Sequence, residues 1–237
     1  MISDKIAGDL SNIKKYYSHD HAYMFVADTP FVNIIIEEFI KRSKIDKSLK
    51  ILEVGAGYGR FSTALIKRGY KLTVSDAAGD MLKRLKNAVG PNAKVMNLDV
   101  YSSNIKDEFD VVCGFHVLHH LLEIKIALKN INSAIKKGGK IAFVEPNPTN
   151  PLYYIQMMVV TEMGWKNEKG ILNMTNSRLT KVLENTGFRN INITKFGFFP
   201  NFMVNKKFGA GIEKAFNYTK NNPFALYKMI TAEKPRN

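Results

Sequence analysis

The segment KILEVGAGYGRFS at residues 50–62 determines the fold. Ile51, Leu52 and Val54 form a short apolar run, which predicts a strand buried on both faces of a parallel sheet. Glycines follow at positions 55, 57 and 59, and apolar residues then recur at helical spacing as far as Gly69. Glycine lets the backbone turn tightly and approach a ligand, and the next helix begins with free N–H groups for an anion. The segment therefore predicts the first unit of a nucleotide-binding α/β fold.

Acidic residues lie at the ends of three predicted strands. Glu53 precedes the first glycine by two residues, Asp76 ends a strand at 71–76, and Asp99 follows a strand at 93–97. An acid about 20 residues past such glycines accepts hydrogen bonds from ribose hydroxyls, and Asp76 lies 17 residues past Gly59. A nicotinamide-dependent dehydrogenase would carry a third glycine where Arg60 stands, and its fingerprint has no acid equivalent to Asp99. The pattern therefore disfavours a dehydrogenase.

Two motifs resemble those of a known family. EVGAGYG at 53–59 resembles the first motif of class I S-adenosylmethionine (SAM)-dependent methyltransferases, and FHVLHHL at 115–121 resembles the VLHHL signature of their small-molecule subfamily. The resemblance covers residues 48–196 well and the C-terminal hairpin more loosely. It implies a Rossmann-like, doubly wound α/β sheet of seven strands, mostly parallel, with an antiparallel C-terminal hairpin strand and helical caps.

The resemblance implies SAM as the cofactor and S-adenosylhomocysteine as its product. In the family, the acid at Asp99 receives the adenine amino group beside the Val100 N–H, although Asp99 could instead be a turn or helix cap. The cofactor-binding residues that we predict are Tyr17, Glu53, Gly55, Ala56, Gly57, Gly59, Arg60, Asp76, Ala77, Met81, Leu98, Asp99, Val100, Phe115 and His116. Tyr17, with its neighbours Tyr16 and Tyr23, could equally be an amphipathic packing residue.

The candidate catalytic residues are His116, His119, His120 and Glu145. Because the sulfonium already activates the methyl group, the protein has to orient the acceptor, exclude water and, if needed, accept a proton. A neutral imidazole suits that last task near pH 7. His119 and His120 are predicted to begin a helix that runs from 121 to 137, and for both an architectural or capping role is favoured over a catalytic one. Glu145, at the end of a strand from 140, could be an acceptor contact, a base or a structural carboxylate.

The chain is predicted to form a single domain over residues 1–237. A helical cap is expected at 1–47, and lid or cap insertions are expected at 152–175 and 197–225. The first insertion is apolar and rich in methionine, which suits a lid over an apolar acceptor, although an extra core helix is the alternative.

Composition limits the other classes of function. The net charge of +14 comes from 35 basic and 21 acidic residues, but the lysines are scattered, which favours a solvated basic surface over a nucleic-acid site. A single cysteine, Cys113, excludes an internal disulfide and a cysteine metal cluster, and His19 and His21 lack a third ligand, so no metal site is predicted. No signal peptide or membrane-spanning run is evident, and a cytoplasmic location is expected.

The function predicted from these observations is SAM-dependent transfer of a methyl group, by in-line displacement, to a small acceptor. A partly apolar metabolite or a lipid-linked intermediate is the first choice. An RNA-directed methyltransferase is the alternative suggested by the charge, and a dehydrogenase or a non-catalytic SAM-binding protein is less favoured. The sequence leaves open the methylated element (oxygen, nitrogen, carbon or sulfur) and the oligomeric state.

Overall fold

The computed structural model describes residues 28–159, 168–216, 222 and 224–237. Within them one sheet holds seven strands in the order β3-β2-β1-β4-β5-β7-β6. The strands are β1 (Ile51–Glu53), β2 (Leu72–Asp76), β3 (Lys94–Asn97), β4 (Phe109–Phe115), β5 (Ile135–Pro146), β6 (Arg189–Phe196) and β7 (Tyr227–Glu233). Strands β1 to β5 pair in parallel, and β7 lies antiparallel between β5 and β6. The predicted fold class is confirmed.

Helices cover both faces of the sheet. The helices of the described residues are α1 (Pro30–Ser43), α2 (Arg60–Lys67), α3 (Gly79–Val89), α4 (Ile124–Ala134), α5 (Pro151–Val159), α6 (Asn176–Asn185), α7 (Asn201–Val204) and α8 (Gly209–Phe216). Side chains along β1 alternate between the faces, so that Ile51 packs with α1 and α2 whereas Leu52 packs with α4 and α6. Burial on both faces explains why β1 is apolar without interruption apart from Glu53.

Helix α1 forms part of the layer that covers the sheet. Thr29 caps its N-terminus by accepting a hydrogen bond from the Val32 N–H at 3.2 Å, and Pro30 occupies the first turn. Its apolar face, which includes Ile36 and Phe39, is fully buried in the core. The earlier part of the predicted 1–47 cap, with Tyr16, Tyr17, Tyr23, His19 and His21, lies outside the described residues, so that part stays a prediction.

The predicted helix from 121 to 137 is wrong at both ends. His119 and His120 lie in a short 3₁₀ turn, Leu118–His120, and α4 begins only at Ile124. At the other end, α4 stops at Ala134 and β5 starts at once, with Ile135 paired to Phe109. The Gly138-Gly139 pair therefore lies inside a strand, where a Cβ at Gly139 would come within 2.6 Å of the Asp110 carbonyl oxygen. Gly139 thus serves the close approach of two backbones, and Gly138 has a φ of +80° within the strand, so the pair does not end a helix.

The two predicted insertions contain both buried and exposed apolar residues. After α5, a 3₁₀ segment, Lys169–Met174, buries Ile171 and Met174 in the core formed with α4 and α6. By contrast, α5 itself exposes Ile155 and Met158. The bounds of the lids stay predictions. Among the described helices, none has the length and apolar character needed to cross a membrane.

Candidate active site

A cavity of about 230 Å³ opens at the carboxyl ends of β1, β2, β4 and β5. This is the edge of an α/β sheet at which ligands bind. The predicted residues that line it are Glu53, Gly55, Ala56, Gly57, Arg60, Asp76, Ala77, Leu98, Asp99, Val100, Phe115, His116, His119 and His120. Most of the residues singled out from sequence thus surround one space.

Asp76 holds the tip of the glycine loop. Its Oδ2 accepts a hydrogen bond from the Gly57 N–H at 2.9 Å, and its Oδ1 accepts one from the Ala78 N–H at 2.9 Å. Gly57 has a φ of +55°, and a Cβ there would meet only the Met81 Cε, at 4.0 Å. The space beside Gly57 is therefore open to a ligand, and glycine supplies the left-handed conformation that the loop needs.

Glu53 presents a carboxylate with spare hydrogen-bonding capacity to the cavity. The side chain is buried, and no described residue hydrogen-bonds its Oε2. Burial raises the pKa of Glu53 to about 7, because the charged form is poorly solvated there. Because Glu53 lines the cavity, this oxygen is open to a hydrogen-bond donor from a ligand. A cationic donor group on a ligand would fit this oxygen in both charge and hydrogen-bonding capacity.

Asp99 lies near Asp76, in the loop that follows β3. The Leu98 N–H donates to the Asp76 carbonyl oxygen at 3.1 Å, which ties this loop to the end of β2. Asp99 accepts the Tyr101 N–H at 2.9 Å through Oδ1 and the Ser102 hydroxyl at 3.2 Å through Oδ2. The carboxylate is therefore fixed in position on the cavity wall.

Three predicted site residues do not line the cavity. Gly59 has a φ of +77° and packs against α3, where an added Cβ would lie 2.9 Å from the Leu85 Cδ1. Met81 is buried in a small cluster with Tyr58 and Ala78, behind the glycine loop. Glu145 is fully buried behind the wall. A fourth, Tyr17, lies outside the described residues.

His116 directly follows β4 and lies on the cavity wall. Its φ of +55° is unusual for a residue other than glycine and aims the ring at the cavity. The ring centroid lies 5.5 Å from that of Tyr227 and 5.9 Å from that of Phe61. Burial among these rings lowers the pKa of His116 to about 3. The imidazole is therefore neutral at physiological pH.

A chain of buried polar groups stands behind the wall. Glu145 Oε1 accepts hydrogen bonds from the Val117 and Leu118 N–H groups at 3.0 and 2.8 Å. Its Oε2 lies 2.6 Å from His119 Nδ1, and His119 Nε2 lies 3.3 Å from Glu168 Oε2. The Tyr153 hydroxyl donates to the same Glu168 oxygen at 2.5 Å. These polar side chains connect the turn after β4 to β5, to α5 and to the start of the 3₁₀ segment.

His119 balances the negative charge of the two carboxylates among these buried polar groups. Burial disfavours the imidazolium, but hydrogen bonds to Glu145 and Glu168 outweigh it and raise the pKa of His119 to about 10. In the same way, the histidine lowers the pKa of Glu145 and lowers that of Glu168 to about 2, against the effect of burial. His119 is thus a cation held between two carboxylates. Both ring nitrogens of His119 carry protons in the imidazolium form, so His119 is a poor acceptor for a further proton.

Sequence reasoning missed a second set of lining residues. These are Phe31, Tyr58, Phe61, Tyr101, Val117, Leu121, Pro146, Tyr153, Glu168, Asn201, Leu226 and Tyr227. Tyr58 and Phe61 flank the glycine motif and could have been inferred from that position. Leu226 and Tyr227 reach the cavity only because β7 is inserted beside β5, and Glu168 has no local signal at all.

Comparison with known proteins decides the family. Residues 31–193 match the family model described as "Methyltransferase domain", which spans more than half of the chain. The chain belongs to the methyltransferase-domain family. The methyltransferase is thus an enzyme of methyl transfer, and its cofactor is SAM.

Two curated relatives of the methyltransferase carry the name "Ubiquinone biosynthesis O-methyltransferase". The protein of Coxiella burnetii is 24% identical over 178 residues, which cover 71% of this chain and 76% of that protein. The protein of Aeromonas salmonicida is 26% identical over 118 residues, which cover 48% of this chain and about half, 49%, of that protein.

A solved structure supports the fold of the methyltransferase. It is a SAM-dependent methyltransferase from Thermotoga maritima, titled a possible histamine N-methyltransferase, with a TM-score of 0.64 and 16% identity. The alignment covers 86% of this chain and 91% of that one. At this identity the likeness concerns the fold, and the acceptor has to be argued from the site.

Proposed function

We propose that the methyltransferase transfers the methyl group of SAM to an oxygen of a small, partly apolar acceptor. The observation that carries the proposal is that one cavity has two unlike halves. One half holds the strand-end acids Glu53, Asp76 and Asp99, and the other holds aromatic rings around the neutral His116. A polar half suits the cofactor and an apolar half suits the acceptor.

The residues of the polar half match the groups of SAM. We propose that Glu53 binds the ammonium group, Asp76 the ribose hydroxyls, and Asp99 with the Val100 N–H the adenine. Arg60, whose guanidinium carbon lies 4.6 Å from the Phe61 ring centroid, brings a positive charge to the wall for the carboxylate. When bound, the cofactor supplies a methyl group already activated by its sulfonium.

The remaining tasks of the chain are to orient the acceptor and exclude water. We propose that His116, Phe61 and Tyr227 orient the acceptor and keep water away from it. Glu145 is occupied by backbone N–H groups and by His119, which is itself a cation, so neither takes the proton. His120, half-buried on the wall, is the proposed proton acceptor.

The proposed oxygen acceptor rests on two observations. Both relatives are named for O-methylation in ubiquinone biosynthesis. In addition, Phe31, Phe61, Tyr153 and Tyr227 give the acceptor half an aromatic lining that suits a ring with an apolar substituent. RNA is not favoured, because this half of the cavity is apolar.

Calorimetric titration with SAM, S-adenosylhomocysteine and NADH tests the cofactor. We expect binding of the first two and none of NADH. Binding of NADH alone would overturn the proposal in favour of a dehydrogenase. For the acceptor, phenols with alkyl tails of increasing length would be assayed for methyl transfer from labelled SAM, with transfer RNA as the competing substrate. We expect turnover to improve with tail length, and transfer to RNA that falls steeply with salt would contradict the proposal.

A further inference from the structure

Five large apolar side chains are exposed on α7, α8 and the turn between them. They are Phe202, Met203, Phe208, Ile212 and Phe216, and we call them the apolar ridge. The side chain of Phe208 is 72% exposed and that of Phe202 is 57% exposed. Single exposed apolar residues are ordinary, but a contiguous group marks a site of interaction.

The ridge lies on one side of an anchored pair of helices. Phe208 directly precedes α8 and Ile212 follows it by four residues, so their side chains lie on the same side of the helix start. Glu213 is buried and accepts the Phe198 and Phe199 N–H groups at 2.8 and 2.9 Å, and the ring of Phe216 stacks on Phe198 with centroids 4.8 Å apart. These contacts hold α8 on the domain with the ridge outward.

Positive charge is interleaved with the ridge. Lys206 and Lys207 are exposed in the turn between the helices, and the Lys207 Nζ lies 5.6 Å from the Phe208 ring centroid. Residues 195–216 contain four lysines and one acid, the inward-facing Glu213, and Lys214 pairs with Glu37 of α1 at 3.3 Å. The outward side is therefore apolar and basic. The cores of protein–protein interfaces are depleted of lysine, whereas surfaces that lie on anionic lipid combine aromatic residues with lysine.

The ridge adjoins the mouth of the cavity. Asn201, the first residue of α7, lines the cavity, and Phe202 follows it directly. On the other side, Leu226 lines the cavity, and Phe224 two residues earlier is 57% exposed. An acceptor that leaves a surface in contact with the ridge would have a short path to the cavity.

We infer that the apolar ridge docks the methyltransferase on a bilayer that contains anionic phospholipid. The aromatic rings enter the interfacial layer, and Lys206 and Lys207 contact lipid phosphates. The inference deepens the proposed function, because a bilayer would supply a lipid-linked acceptor directly to the cavity. Docking itself requires no turnover, so it can be tested alone.

The test is flotation of the purified full chain with vesicles, without SAM. We expect binding to phosphatidylcholine vesicles that contain phosphatidylglycerol, weak binding to phosphatidylcholine alone, and release by salt. The double variant Phe202→Ser/Phe208→Ser should bind at least about tenfold more weakly, and so should Lys206→Glu/Lys207→Glu. The matched control is Lys83→Glu/Lys86→Glu on α3, which changes the net charge equally at two other exposed lysines and should bind as the wild type does.

Three results would overturn the inference. The first is wild-type protein that ignores anionic vesicles, and the second is a control that loses as much binding as the ridge variants. The third is a dimer that light scattering detects without lipid and that the Phe202→Ser/Phe208→Ser substitutions convert to monomer, because the ridge would then bind a second copy of the chain.

Calorimetry with SAM on the same variants separates the two proposals. Normal SAM binding with lost vesicle binding supports docking, whereas absent SAM binding in the wild type would contradict only the proposed function.

Discussion

Replacement of His119 by alanine would leave two carboxylates buried without the cation between them. His119 is 3% exposed, and its two ring nitrogens lie 2.6 Å from Glu145 and 3.3 Å from Glu168. Removing one partner of a buried ion pair destabilises a protein by about 3–5 kcal/mol. A pKa raised from 6.5 to about 10 corresponds to about 5 kcal/mol of preference for the imidazolium, which agrees in order of magnitude. We therefore expect His119→Ala to lower the free energy of unfolding by about 3–5 kcal/mol.

The assay is urea unfolding followed by circular dichroism, at a series of pH values. The folded pKa of His119 lies above its unfolded value, so its contribution is complete below about pH 6.5 and is lost as the pH rises toward 10. Glu168 has the opposite sign, since its pKa falls from 4.5 to about 2, and its contribution is lost as the pH drops through that range. The stability difference between wild type and His119→Ala should thus be largest between about pH 4.5 and 6.5.

His120→Ala is the matched control, because His120 is the adjacent histidine but is only half-buried. It should change stability less and turnover more than His119→Ala does, since we place the proton acceptor at His120. The reasoning would be refuted if wild type and His119→Ala had parallel stability curves from pH 6 to 10. A His119→Ala variant of normal stability but without activity would also refute it, because His119 would then act in the chemistry.

Three further variants test the cofactor half of the site. Gly57→Val should abolish SAM binding, measured by calorimetry, without unfolding the chain. The control is Gly90→Val, at another glycine with a positive φ (+60°) and open space around it, and this variant should bind SAM normally. Equal losses of SAM binding in both variants would contradict a ligand beside Gly57. Asp76→Ala should also abolish SAM binding, and normal affinity would refute its placement at the ribose. The SAM affinity of the wild type should rise with pH through about 7, because Glu53 ionises there. Glu53→Gln should remove that pH dependence. A wild-type SAM affinity that does not change with pH would show that Glu53 does not bind the ammonium group.

The polar half of the site could be predicted from the sequence because local patterns specify it. A buried parallel strand is apolar, so its end is visible in the sequence, and an acid at that end must lie at the edge where parallel strands finish. Asp76 and Asp99 were located in this way, and the structure places both on the cavity wall. The glycine loop follows from the same logic, since few residues other than glycine adopt positive φ.

The acceptor half could not be predicted, because distant segments build it. Tyr227 reaches the cavity through the insertion of β7 beside β5, and Glu168 comes from the segment beyond α5. The position of Glu145 at a strand end suggested a contact with the acceptor. Its side chain turns instead toward the Val117 and Leu118 N–H groups, and only tertiary structure reveals that. The end of the helix was predicted wrongly near 137, because a glycine pair in a sequence can end a helix or can lie within a strand that passes close to another backbone.

The placement of β7 also has a consequence for how the chain folds during synthesis. Domains form from the N-terminus onward as the chain emerges, and here β5 is complete long before its neighbour β7 exists. Until residue 233 has been made, one edge of β5 has unpaired N–H and C=O groups beside apolar side chains, and such an edge can associate with other strands. The nascent protein therefore passes through an aggregation-prone stage that the native fold conceals, and deletion of residues 227–233 should trap the chain in that stage.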